Sequence, residues 1–157
     1  NFSTNVKMHP PLRTQQDVDA MIAGLKDGTI DVICTDHAPH AIEEKEVEFN
    51  YAPNGIIGLE TAWAVTNEQL LAPGHLDLRS LIDKLCDQPR KILRLQVPEI
   101  EPGYEANLTV FNTDEQWIFD NKNIRSKSHN SPYLNRKMTG RAMAIVNKGL
   151  LHINTLK

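Results

Sequence analysis

The residues best suited to chemistry in this chain lie in one hexapeptide, Thr35-Asp36-His37-Ala38-Pro39-His40. A carboxylate can bind a divalent cation and can take a proton from a cation-bound water. Two imidazoles three residues apart add groups that ligate metals or move protons. Pro39 stiffens the stretch between them. The same residue types also serve structure, since Asp commonly caps a turn at such a junction and an isolated His is commonly structural. A third histidine, His9, sits in a His9-Pro10-Pro11 loop and reaches the same pocket only if both loops open on one face. Otherwise it is a surface residue. His75, His129 and His152 have no partner at ligand spacing and read as structural.

The hexapeptide needs an element to carry it. Ile30-Asp31-Val32-Ile33-Cys34 is short and rich in β-branched residues, which predicts a buried strand over 30–35. Polar residues at the carboxyl end of such a strand occupy the usual position of an α/β active site. Before the strand, Thr14 with Asp17 three residues on predicts a capped helix start. Val18, Met21, Ile22 and Leu25 share one helical face, and Gly28 stops the helix. After the hexapeptide, the run from Glu43 to Glu48 reads as a solvated loop or helical turn. Ala52-Pro53-Asn54-Gly55 is a turn, and Gly58 to Gln69 predicts a helix broken by Pro73-Gly74. Asp77 caps a further helix with Leu78, Leu81, Ile82 and Leu85 on one stripe, and Gln88-Pro89 opens another.

From Val97 the pattern changes. Pro98, Pro102 and Gly103 mark a linker, so residues 1–96 and 97–157 read as two portions. Leu108 to Phe111, Gln116 to Phe119, Ala142 to Val146 and Leu150 to Ile153 are four short β-like runs. Asn147-Lys148-Gly149 joins the last two as a hairpin. One strand among helices is not a sheet, so the first portion reads as the end of a larger α/β domain. The start at Asn1 rather than Met fits a fragment or a processed product.

Charged residues make up 24% of the 157, and the net charge is -3, values that describe a globular chain without the basic face that nucleic acid requires. No apolar run reaches the roughly 18 residues of a membrane span. Cys34 and Cys86 are expected to be buried thiols rather than a disulfide, which points to a reducing, cytoplasmic setting. The sequence holds no P-loop, no Gly-x-Gly-x-x-Gly and no Gly-x-Ser-x-Gly elbow, which argues against nucleotide hydrolysis and serine acyl transfer by this segment.

Four blocks, in order, resemble one family. They are Lys7 to Arg13, Asp27 to Asp31, Thr35 to His40 with Glu43-Glu44-Lys45, and Gly55 to Thr61. Together they are similar to the carboxyl-terminal part of class I dihydroorotase, and the tail resembles the terminal β-segment of cyclic amidohydrolases. The resemblance implies the last units of a metal-dependent (β/α)8 barrel, followed by a β-segment that belongs to a composite β-sandwich. It implies reversible conversion of N-carbamoyl-aspartate to dihydroorotate in pyrimidine biosynthesis, with two zinc ions. Asp36 matches a metal ligand that also shuttles the proton. His40 matches a histidine that contacts the substrate carboxylate, and Asn54 and Gly55 match a turn that closes on the ring. His9 stands where many members carry a substrate-binding asparagine, and imidazole differs from carboxamide in shape and donors. The family's other metal ligands have no counterpart in this sequence, so the 157 residues alone are expected to be inactive. Two further readings stay open: a relative acting on another cyclic amide, such as an allantoinase or hydantoinase, and a non-catalytic partner of aspartate transcarbamoylase. A small-molecule substrate and a homodimer fit the family pattern.

Overall fold

The computed structural model describes residues 2–155; Asn1, Leu156 and Lys157 lie outside the described residues. Helix α1 spans Gln15–Asp27. Asp17 accepts from the Thr14 backbone N–H at 3.0 Å and the Thr14 hydroxyl at 2.7 Å, which fixes the start. Gly28 ends it at φ 85, a left-handed position that suits a residue without Cβ. Ile22 and Leu25 turn inward, whereas Val18 and Met21 of the predicted stripe are exposed.

Residues 30–35 are extended but do not form a strand among the described residues. A ladder needs a neighbouring strand for its backbone groups, and here the Ile30 N–H donates to Gly24 O at 2.9 Å and the Ile33 N–H to Lys84 O at 3.1 Å, both partners lying in helical segments. Ile30 and Ile33, themselves half-buried, pack against Leu25, Leu70, Leu76 and Leu81, so the segment touches the core without being the buried strand that its composition predicted. Cys34 and Cys86 are both exposed free thiols, contrary to the expected burial. Alternation explains Cys34: Ile33 faces the core, so its neighbour faces away.

A short helix α2, Ile42–Lys45, occupies the charged run. Helix α3, Ala62–Thr66, starts later than predicted and continues as a wider turn over Asn67–Leu71. Helix α4, Leu78–Ile82, is capped by Asp77, whose side chain accepts from the Ser80 N–H at 2.7 Å. It runs through a wide turn at Asp83–Asp87 into α5, Gln88–Ile92, with Pro89 in its first turn as expected.

Among the described residues the tail forms three strands rather than four, in one antiparallel sheet ordered β1-β2-β3: Leu108–Phe119, Arg136–Asn147 and Leu150–Ile153. Asn112-Thr113-Asp114 does not separate two strands. The Asn112 side chain accepts from the Asp114 and Glu115 N–H groups at 2.7 and 3.1 Å, folding the excess residues into a bulge inside β1. Register passes from Asn112–Arg141 to Gln116–Thr139 across it. Lys148 and Gly149 hold φ 50 and 73 between paired Asn147 and Leu150, so the expected hairpin forms, with Asn147 in the ladder rather than in the turn.

The sheet packs on α3. Ile57, Ala64, Phe119 and Met138 form a second buried cluster drawn from both portions of the chain. Asn67, 2% exposed, sends its amide into the bulge, donating to Thr113 O at 2.9 Å and Thr139 O at 3.0 Å. Glu60 accepts the N–H groups of Arg125 and Ser126 at 2.6 and 2.9 Å. These bonds fix the tail beside the hexapeptide.

Candidate active site

Asp36 ends the extended segment at φ 43, in the left-handed region that Asp tolerates better than most residues. The kink leaves its side chain exposed. His37 then forms a parallel bridge with Ile56, and the Ala38 N–H donates to Ile56 O at 2.9 Å. The loops 35–40 and 54–58 therefore lie side by side. Their approach demands small residues. A Cβ on Gly55, which holds φ 120, would stand 2.6 Å from Ala38 Cβ, and one on Gly58 would stand 3.0 Å from Thr35 O.

The imidazoles have different partners. His37 Nδ1 accepts from the Gly58 N–H at 3.1 Å and the Leu59 N–H at 3.3 Å. His37 thus binds the neighbouring loop through one nitrogen. His40 Nε2 lies 2.9 Å from Asn54 O, and a carbonyl can only accept, so this nitrogen donates. Its Nδ1 faces the Glu44 carboxylate at 3.4 Å, while Glu44 also accepts from the Ala41 N–H at 2.9 Å. His40 lies beside Asn54 and Gly55.

His9 is exposed, and no hydrogen bond or ion pair among the described residues joins it to Asp36, His40, Asn54 or Gly55. Its loop is nearby all the same, because Lys7 O accepts from the Gly55 N–H at 2.9 Å.

Two lysines hold the 49–55 turn from beneath. Lys7 Nζ donates to the carbonyls of Phe49, Asn50 and Ala52 at 2.7, 3.0 and 2.7 Å. Lys45 Nζ donates to Pro53 O and Gly55 O at 2.9 and 3.1 Å. Lys45 is only 5% exposed. Burial, with the Lys7 charge nearby, holds its ammonium below the ordinary lysine value. Its place in an acidic run concealed this, since such runs usually face solvent. Asn130, also missed from sequence, reaches in from the tail and bonds both loops.

A metal centre needs several converging ligands. Among the described residues no group of three His, Cys, Asp or Glu side chains is placed to hold an ion. Asp36 offers one carboxylate, and the Nδ1 of its neighbour His37 is already engaged by backbone donors. The donor set present does not complete a metal site.

The sequence profile of the Amidohydrolase family matches residues 9–139. The chain belongs to that family. Among curated amidohydrolases, it is 46% identical over 140 residues to the dihydroorotase of Acetivibrio thermocellus, covering 89% of this chain and 33% of that protein. It is 51% identical over 132 residues to the dihydroorotase of Ruminiclostridium cellulolyticum, covering 84% and 31%. The chain thus spans about a third of the length of these relatives. The L-hydantoinase (dihydropyrimidinase) of Arthrobacter aurescens superposes with a TM-score of 0.87 at 25% identity, covering 99% of this chain and 36% of that one. A D-hydantoinase from Thermus sp. shares the fold, with a TM-score of 0.77 at 22% identity over 98% and 35% of the two chains. These neighbours are (β/α)8-barrel enzymes, so the amidohydrolase segment has the partial α/β fold with a small antiparallel sheet that the resemblance implied. Amidohydrolases are in general metal-dependent. No helix among the described residues is long and apolar enough to cross a membrane.

Proposed function

We propose that this chain is the carboxyl-terminal third of a zinc-dependent dihydroorotase, which interconverts N-carbamoyl-aspartate and dihydroorotate in pyrimidine biosynthesis in the cytoplasm. The observation that carries this reading is the identity to dihydroorotases, 46% over 140 residues. Residues 1–96 are the barrel portion and 97–157 the β-segment. Asp36 provides one metal ligand and moves the proton: its carboxylate holds the proton released by the attacking water and returns it to the ring nitrogen as the C–N bond breaks. Ring closure reverses the transfer. His40, Asn54, Gly55 and His9 border the substrate. His40 would meet the substrate carboxylate by releasing Asn54 O or Glu44, its present partners.

When bound, zinc supplies Lewis-acid polarisation and an activated water. The remaining ligands must come from outside these 157 residues, so the segment alone binds zinc weakly and turns over nothing. A hydantoinase-type activity is the second reading, favoured by the TM-score of 0.87 to an L-hydantoinase. The test offers dihydroorotate, allantoin and hydantoin to the full-length protein with zinc. Preference for dihydroorotate is expected, and preference for either other ring overturns the assignment. No turnover of any, with co-purification of aspartate transcarbamoylase, would instead mark a non-catalytic partner. Zinc-dependent turnover by the isolated 157 residues would contradict the predicted inactivity of the segment.

A further inference from the structure

Asn130 comes from the segment between β1 and β2, yet its amide sits between the two loops of the candidate site. It is 5% exposed. Its Oδ1 accepts from the His40 N–H at 3.1 Å. Its Nδ2 donates to Ala38 O at 2.9 Å and Gly55 O at 3.2 Å. Its backbone carbonyl accepts from the Ile57 N–H at 3.0 Å. One residue thus bonds 38 and 40 on one loop and 55 and 57 on the other. The arrangement needs two donors and one acceptor on a single short side chain, which among the standard residues of this size only a carboxamide offers. An aspartate of the same shape would turn both donors into acceptors facing carbonyls. A leucine would take the partner from the half-buried His40 N–H and Ala38 O and leave Gly55 O with Lys45 Nζ alone.

We propose that Asn130 is a positioning residue for substrate binding, through which the β-segment sets the spacing of the 35–40 and 54–58 loops. The proposal rests on the reading that these loops border the substrate. Asn130 touches no reacting atom. It acts through His40 and Gly55, so its loss weakens the fit of the ring more than the proton transfer at Asp36, whose side chain it does not contact.

The test compares the full-length protein with its Asn130→Asp, Asn130→Leu and milder Asn130→Ser variants, by amide hydrogen exchange and by steady-state kinetics with dihydroorotate. Expected are exchange at least tenfold faster in peptides spanning 36–41 and 53–58, with no change in α1, and a KM raised about tenfold with kcat within threefold. Unchanged exchange in either loop overturns the proposal. So does acceleration spread through α1, which would mark a general structural role, and so does faster local exchange with an unaltered KM. If the parent protein does not turn over dihydroorotate, the functional reading fails, and the exchange pattern still decides whether Asn130 joins the loops.

Discussion

His37 Nδ1 receives the backbone N–H of Gly58 at 3.1 Å, with the Leu59 N–H at 3.3 Å on the same lone pair. The accepting nitrogen carries no proton, which puts the ring hydrogen on Nε2. The bond ties the residue after Asp36 to the turn that leads into α3. A His37→Phe variant keeps the ring but loses the acceptor. Water can still reach Leu59, which is exposed, so a loss of about 1 kcal/mol of stability is expected. Urea titration of the variant against the parent measures it.

Gly55 governs how closely the two site loops approach. At φ 120 any side chain is strained, and a Cβ would meet Ala38 Cβ at 2.6 Å and His40 Nε2 at 3.2 Å. Gly55→Ala is expected to destabilise by about 2 kcal/mol or more through strain and overpacking. It should also raise KM for the substrate, because the loops must separate. Melting temperature and KM measured on the same preparation test both parts.

Asn67 joins the wide turn after α3 to the sheet. Replacing it with leucine keeps the volume but takes the buried amide donor away from Thr113 O and Thr139 O in a half-buried bulge. The expected loss is about 2–3 kcal/mol. Protection of β1 and β2 amides should fall further than that of α1, which hydrogen exchange reads directly.

These joints explain what could be read from the chain alone. The caps at Thr14, Gly28 and Asp77, and the hairpin at Asn147-Lys148-Gly149, depend on residues within four positions of each other, and all were legible. The extended shape of 30–35 was legible too, because β-branched residues favour it locally. Its missing ladder was not, since pairing depends on distant backbone. Asn112-Thr113-Asp114 has the composition of a loop, and becomes a bulge because Asn67, far away in sequence, fills the space over Gly140. At the site, Asp36 and the Asn54-Gly55 turn stood out by residue type. Lys45 and Asn130 did not, because a lysine in an acidic run and an asparagine in a polar loop ordinarily face water.

Acid should expose the helix caps. The Ser80 backbone N–H holds Asp77 below its ordinary value of 3.8, and the Thr14 hydroxyl does the same for Asp17. A folded value below the unfolded one means stability that is present above 3.8 and lost as pH falls through the folded value. Asp77→Ala should lose this contribution at neutral pH and show a shallower fall in stability below pH 3.8 than the parent. Denaturant midpoints across that range check the sign.

Asp36 carries the central claim, and Asn is the substitution that isolates it. Asn tolerates φ 43 as Asp does, so Asp36→Asn should leave the fold and melting temperature intact. It removes the group that takes the proton. The decisive measurement is zinc-dependent hydrolysis of dihydroorotate by the full-length protein and its Asp36→Asn variant. The account predicts turnover by the parent and a fall in kcat of about 10²–10⁴-fold in the variant. A folded variant that keeps a tenth or more of the parental rate, roughly ten times above that range, would contradict it.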